Sequence, residues 1–373
     1  MKILFVGDCS NLHNCLAQQL RKMGHDAVVA SHGSFWMNTG RDIDLARGDG
    51  RLGTVAFLWK LLKALPRMRG YDIVQLASPG FVELRPEKIR LIFDYLRKYN
   101  RKVVLSALKT DVVYHQACHD GHTYRYSDYM VGDLPSPYAL SAEYRANHED
   151  NWTLPIMLEH SDYVMNRVDG VISCLWEYHE AYRQRVAPER LAYGGIPIDT
   201  DSLTLRPLAE EPRRVRLFIG IQRDRTVVKG TDRLLEAARR CCDRHPRECE
   251  LEVVENVPYS EYTQRMRASH VILDQLYSYT PATNAMIAMA QGLVAVSGAE
   301  PEFYEFIGET QNHPIVNVNP CVEGDIDEKL EYIIAHKHRL PQWSRESREF
   351  VLKHNSAQVV ARRSLDFWQR MLG

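Results

Sequence analysis

The sequence predicts an α/β protein built on two parallel, doubly wound sheets, and three observations carry that expectation. Short, continuously apolar runs alternate with amphipathic helical stretches, the pattern of β-α-β units whose strands are buried on both faces. The alternation pauses once, around Gly194-Gly195-Ile196-Pro197 and the charged stretch through Arg206-Pro207 to Pro212, which reads as a linker. It then restarts as a second set of similar size.

Residues 2–7 form the first strand and 12–23 the first helix, with Leu12, Leu16, Leu20 and Met23 on one stripe. Gly24 ends that helix and 27–30 is the next strand, a unit that demands a parallel pair and a right-handed crossover. Strands follow over 72–76, 102–107 and 170–173, with helices over 86–99, one closing at 164–167, and one over 175–185. In the second half, strands are expected over 216–221, 250–254, 271–276 and 293–296, and helices over 231–242, 259–268 and 283–291. Helices over 325–336 and within 344–368 finish the chain. The expected domains are therefore residues 1–198, completed by 346–373, and residues 199–345. Each is Rossmann-like, and ligands are expected in a cleft outside the carboxyl ends of the strands.

Composition narrows the function. With 45% hydrophobic and 25% charged residues, the 373-residue chain has a globular make-up, which excludes wholesale disorder and fibres. Lys plus Arg (47) balance Asp plus Glu (48), so there is no basic surplus for a nucleic-acid partner. A local basic pocket for phosphates stays compatible with that balance. No apolar run is long enough to cross a bilayer, and MKILFVGD reads as a buried strand rather than a signal peptide. Eight cysteines without a C-x-x-C pair fit a reducing compartment, so a cytoplasmic location is expected.

Several segments can carry chemistry. The loop Gly7-Asp8-Cys9-Ser10-Asn11-Leu12-His13 holds one glycine where a dinucleotide fingerprint needs G-x-G-x-x-G, which argues against a nicotinamide oxidoreductase. Its amides suit a polar or anionic group; Asp8, Ser10 and Asn11 read equally well as helix caps. Past the strand at 216–221 come Gln222-Arg223-Asp224-Arg225 and then Lys229-Gly230, opening a helix. Arg brings a fork of donors and Lys a compact charge, a combination suited to a diphosphate; a solvated charged loop is the plain alternative.

Tyr279-Thr280-Pro281-Ala282-Thr283-Asn284 enters an Ala- and Met-rich helix closed by Gly292. Thr280 or Thr283 can cap it, and its first-turn amides make a second anion site. Asp111 follows the strand at 102–107, as a ligand contact or a helix cap. His115, Cys118, His119, Asp120 and His122 crowd eight residues without the separated halves of a zinc module. A polar lining or a surface loop is the preferred reading there, and no metal is expected. Residues 123–145, with five tyrosines, read as a long aromatic insertion for ligand recognition. Leu58, Trp59, Leu61, Leu62 and Leu65 lie among Lys60, Lys63, Arg67 and Arg69. That stretch is either a core-packing helix with a solvated basic face or a peripheral contact with an anionic inner-membrane face.

The 279–292 segment, Gly195-Ile196-Pro197-Ile198-Asp199 and the Arg223/Lys229-Gly230 turn together resemble the donor domain of glycosyltransferases of GT-B architecture. The closest match is glycosyltransferase family 4, or group 1. The first strand, the helix from His13 to Gly24-His25 and Ser31-His32-Gly33 resemble its acceptor domain. Residues 349–368 resemble its C-terminal helices, which cross back to the first domain. The resemblance spans nearly the whole chain. It implies a retaining, hexosyltransferase-type enzyme with a UDP- or GDP-sugar as donor substrate, no separate cofactor, and a glycan or lipid-linked acceptor. It puts Arg223, Lys229, Gly230, Thr280, Thr283 and Asn284 on the donor, Asp111 by the reacting sugar, and Ser10, Asn11, His13 and His115 on the acceptor.

One departure stands out. The family carries two glutamates eight positions apart where this chain has Tyr279 and Ile287, and an isoleucine side chain cannot hydrogen-bond. Glu300 and Glu302, past the strand at 293–296, are the replacement carboxylates; they read equally as first-turn acids complementing a helix dipole. Glu302 is taken as the catalytic candidate beside Asp111. The same loss leaves two other readings open: a catalytically silent sugar- or nucleotide-binding protein, and a nucleotide-sugar epimerase.

Overall fold

The N-terminal apolar run becomes β1 (Lys2–Val6), which is buried from its second residue onward. A computed structural model describes residues 1–34, 37–146, 151–206, 208 and 210–373. After β1 come α1 (Leu12–Lys22), β2 (Asp26–Ser31), β3 (Ile43–Asp44), α2 (Gly50–Ala64), β4 (Ile73–Leu76), α3 (Pro86–Tyr99), β5 (Lys102–Ala107) and α4 (Val112–His119). An excursion then carries the hairpin β6 (Met130–Val131) and β7 (Leu134–Pro135), with α5 (Pro137–Leu140) and α6 (Ala142–Ala146). The first sheet resumes through α7 (Pro155–Met165), β8 (Gly170–Ser173), α8 (Trp176–Arg183) and β9 (Leu191–Tyr193).

The second set comprises β10 (Val215–Ile221), α9 (Thr226–Lys229), α10 (Thr231–Arg244), β11 (Cys249–Glu255), α11 (Tyr259–Arg267), β12 (Val271–Leu273) and α12 (Thr283–Ala290). It continues with β13 (Val294–Ser297), α13 (Pro301–Ile307), β14 (Val316–Asn317), α14 (Asp325–Ala335) and α15 (Leu340–His354), before the final α16 (Ala357–Leu372). Pro207, part of the expected linker, lies outside the described residues.

The chain divides into two units. One comprises Met1–Gln116, Asn151–Pro197 and Ala357–Gly373; the other, Ala117–Asp150 and Ile198–Ser356. The first has a seven-stranded sheet in the order β3-β2-β1-β4-β5-β8-β9, and the second a five-stranded sheet in the order β11-β10-β12-β13-β14. Every pairing in both is parallel. Hence the strands are apolar on both faces: Ile3, Leu4, Phe5 and Val6 are all fully buried, as are Leu217, Phe218 and Ile219.

The structure corrects the expected boundaries in two places. Residues 346–356 belong to the second unit, not the first. The reason lies in α15, whose Arg348 donates to the carbonyls of Thr200 and Leu203, both at 2.9 Å, and to that of Ala290 at 2.5 Å. Only α16 joins the first unit, where Trp368 is buried 6.2 Å from the Phe5 ring. The excursion 117–150 is the other correction: expected in the first domain, it belongs to the second.

Glu309 pins the end of α15. Its carboxylate, 1% exposed, accepts from Lys353 Nζ at 2.6 Å and faces His354 Nε2 at 2.7 Å. Burial pushes its carboxyl up, but these bonds and the amides of Gln311 and Asn312 hold it well below its ordinary value of 4.5. With the folded value depressed, the contribution is complete above the ordinary value of 4.5 and is lost progressively as pH falls below it. Glu309→Ala is expected to cost roughly 3 kcal/mol at neutral pH, the low end for a buried pair because Lys353 is exposed. Thermal melts should show that gap narrowing below pH 4.5; a gap independent of pH would refute the assignment.

Candidate functional site

In an open parallel sheet, ligands gather where neighbouring strands connect in opposite directions, because the loops there splay apart. In the second sheet that point lies between β10 and β12: β10 runs on to β11 on one side, and the chain then crosses to β12 on the other. The loops past β10 and β12 carry Lys229 and Asp274.

Gly230 makes the first loop. It sits at φ +67°, closing α9 and opening α10, and a Cβ there would lie 2.7 Å from Leu276 Cβ. The tight turn presses Lys229 into the fold, so burial lowers its pKa, opposed by Asp274. Among the described residues, its Nζ has no hydrogen bond and no ion pair within 4 Å. Asp274 is 3% exposed and burial raises its carboxyl; Lys229, Asn284 and the amides of Ala282 and Ala285 draw it back. Asn284 bridges, its Nδ2 donating to Asp274 Oδ1 at 3.2 Å and its Oδ1 accepting from Tyr262 at 2.8 Å.

Lys229, Gly230 and Asn284 therefore share one corner. Thr280 is buried and Thr283 half-buried at the entry to α12, but the cap position belongs to Ala282, whose own side chain makes no cap bond. Asp274, unremarked in the sequence reading, supplies the charge at that helix start instead; its signal was a lone carboxylate ending an apolar strand. Arg223 takes another partner. It is highly exposed and paired with Glu255 at the end of β11.

The excursion folds onto this same face. Tyr126 stacks on Tyr279 with ring centroids 4.7 Å apart, and its hydroxyl donates to Glu300 at 2.8 Å. Arg125 pairs with Glu300 at 2.7 Å and with Glu302, and its amide donates to the Tyr279 hydroxyl at 2.6 Å. Burial pushes the Tyr279 phenol up to about 12. Burial also acts upward on Glu302, but the Arg125 hydrogen bond outweighs it and holds that carboxyl below the usual range. Glu302, the catalytic candidate, is thus an ion-pair partner here, and Glu300 is tied further to Asn317 at 2.9 Å.

Glu143 on α6 makes the most informative contact. Its carboxylate accepts from the amides of Val227 and Val228, at 3.2 and 3.4 Å. A carboxylate across two successive amides, with Arg225 and Lys229 in the same turn, marks that turn as anion-seeking. Of the other insertion tyrosines, Tyr124 lies 5.8 Å from the Tyr279 ring, and Tyr129, Tyr138 and Tyr144 pack on one another at 5.4–6.1 Å. These three rings pack the excursion together.

In the first sheet the corresponding point lies between β1 and β4. Ser10 and Asn11 stand there with left-handed backbones, φ 52° and 65°, a costly conformation for residues with side chains. Asn11 is braced by Ser34, whose hydroxyl accepts its amide at 3.2 Å. Ser10 is exposed. His13 is not: the ring is 1% exposed, Nδ1 meets Gly7 O at 2.8 Å, and Nε2 meets Ser106 Oγ at 3.0 Å. Burial lowers its pKa, so a neutral imidazole with Nδ1–H donating satisfies both contacts. Asp8 anchors the turn by accepting the His13 amide at 2.9 Å.

Asp111 caps α4. It accepts the Tyr114 amide at 3.0 Å and the Tyr182 hydroxyl at 2.5 Å, and burial raises its carboxyl. His115, on the same helix, is 5% exposed. The structure therefore keeps Ser10 and Asn11 at the sheet end and draws His13, Asp111 and His115 into the interior. Among the described residues no three His, Cys, Asp or Glu side chains gather as metal ligands. Asp120, in the histidine-rich run, instead closes a turn on the amides of His122 and Thr123, at 2.9 and 2.8 Å.

No protein-family model matches the chain, and no curated protein sequence matches it. Solved structures do. HepE of Anabaena, crystallised with UDP-glucose, is similar at a TM-score of 0.60 and 12% identity, over 99% of this chain and all of that one. Sucrose-phosphate synthase of Thermosynechococcus elongatus is similar at 0.61 and 12%, over 100% and 99%. An alpha-glucosyltransferase crystallised with UDP and a 13-mer DNA is similar at 0.58 and 12%, over 99% of each. The fold is thus the GT-B architecture of two Rossmann-like domains, as the sequence resemblance implies.

Proposed function

We propose that the chain is a glycosyltransferase that moves a sugar from a nucleoside-diphosphate sugar to a sugar-containing acceptor. One observation carries the reading: the switch point of the second sheet holds a lysine without an ion pair among the described residues, beside amides that already take a carboxylate. A diphosphate would bring Lys229 its counter-charge and find hydrogen bonds at the amides of Val227 and Val228. Two of the similar structures hold UDP or UDP-glucose, which puts a UDP-sugar first among the donors and a GDP-sugar second. Asn284 and the α12 entry would hold the rest of the donor. The retaining outcome, the hexosyl class and the likeness to family 4 rest on the sequence resemblance. Ser10 and Asn11, strained and at a sheet end, are the acceptor contacts we retain. The acceptors include lipid-linked sugars, and the expected location is the cytoplasm.

Glu302 enters catalysis in this reading only once Arg125 releases it. That requirement, with Tyr279 and Ile287 in place of the family's glutamates, favours a second reading: a nucleotide-sugar binding protein without turnover. A thermal-shift screen against UDP, GDP, ADP, CMP and their sugars tests donor binding, since a ligand of the folded state raises the melting temperature by mass action. Product analysis with an acceptor panel then separates the readings. Transfer supports the enzyme, binding without transfer or hydrolysis supports the silent protein, and no shift with any nucleotide removes both.

A further inference from the structure

We infer that α2 is a docking surface for anionic membrane lipid. The helix is apolar on two opposite sides. Phe57, Leu61 and Ala64 form the side that is buried in the first unit. Leu52, Val55, Trp59 and Leu62 form another stripe, at 87%, 55%, 63% and 61% exposure. At about 100° per residue, these four fall within an arc of about 80°, on the side away from the buried three. Thirteen large apolar side chains are exposed among the described residues, and four of them lie on this one helix face. Singly exposed apolar residues are ordinary; a contiguous stripe containing a tryptophan marks a surface that something covers.

Charge selects the occupant. Residues 47–69 hold six Lys or Arg and one Asp. By helical position Arg51 flanks the stripe on one side and Lys63 on the other, and both are exposed. Lys63 Nζ stands 5.7 Å from the Trp59 ring centroid, and Arg67 follows, exposed, in the next turn. An apolar strip edged by cations is complementary to a bilayer interface: acyl chains take Leu52, Val55 and Leu62, the indole lies at headgroup level, and anionic headgroups take the cations. A second copy of this chain would set the same cations against one another. Among the described residues no helix is long and apolar enough to cross a membrane, so this contact is peripheral. The surface stands without the transferase reading; only the inference that it brings the chain to lipid-linked acceptors rests on that reading.

The test is co-sedimentation of the full chain, without nucleotide, with vesicles of phosphatidylcholine alone or mixed with phosphatidylglycerol. Binding is expected to the mixed vesicles and to fall as salt rises. The double substitution Trp59→Ser, Leu62→Ser should weaken it at least roughly tenfold. Arg51→Gln and Lys63→Gln should each weaken it about fivefold. All four residues changed are exposed, so melting temperatures should stay unchanged. Equal binding to both vesicle types, no binding, or a dimer in sedimentation velocity that the double substitution dissolves, would each overturn the proposal. Nucleotide binding, measured separately, leaves a failure here distinct from a failure of the transferase reading.

Discussion

Lys229→Met is expected to weaken nucleoside-diphosphate binding by roughly 10- to 100-fold, the worth of one hydrogen bond to a charged group. Methionine keeps the unbranched apolar stem and removes the ammonium, so the packing around Gly230 survives. The effect should depend on the phosphates: large for UDP and small for uridine, with isothermal titration as the measurement. Arg223→Met is the internal comparison. Arg223 is paired through its Nε with Glu255 on the protein surface, so its replacement should change affinity by less than about threefold, in keeping with the small worth of exposed ion pairs. The opposite ranking, with Arg223 dominant, would move the diphosphate off the β10–β12 switch point. Removing a half-buried cation also relieves its desolvation, so the variant should melt no lower than the wild type.

Local pattern made much of this architecture readable. Ile3 to Val6 and Leu217 to Ile219 are apolar without alternation, which in a soluble chain means a strand covered on both faces, and both sheets are parallel for that reason. Lys229-Gly230 was readable because the left-handed turn requires glycine next to the cation. What escaped are contacts distant along the chain. Glu143 meets Val227 across 84 residues and Arg125 meets Glu302 across 177, and no period or spacing encodes such a pairing. The short strands β3, β9 and β14 escaped for a related cause: two or three residues carry too little pattern to stand out from a loop. The burial of His13 and Asp111 is hidden from the sequence for a different reason. Both are polar residues next to strand ends, where solvent is the default, but each is satisfied internally, His13 by Gly7 and Ser106 and Asp111 by Tyr182. The α2 stripe was half legible: its apolar and basic content is plain in sequence, but which apolar side meets the core depends on packing.

Glu143→Ala is expected to act in the opposite direction to Lys229→Met and tighten nucleoside-diphosphate binding about tenfold. In the wild type the Glu143 carboxylate holds the amides of Val227 and Val228, so a phosphate that needs them must first displace it. The apparent affinity then falls by the fraction of molecules in which the seat is open. Two hydrogen bonds to a carboxylate are worth a few kcal/mol at most, and burial raises the Glu143 pKa and so weakens its charged form, which keeps the estimate near a factor of ten. Glu143→Gln should fall between alanine and wild type, since the amide oxygen still accepts one of the two bonds without the charge. The double variant with Lys229→Met should bind more weakly than Glu143→Ala alone, because the vacated amides lack a neighbouring cation to hold the anion. Hydrogen exchange supplies a check that needs no ligand: the Val227 and Val228 amides should exchange faster in Glu143→Ala, while those of the β10 core, Leu217 to Ile219, stay as protected as before. If the two amides exchange faster yet affinity is unchanged, the carboxylate holds the turn but not the phosphate seat, and the diphosphate binds elsewhere on the sheet end.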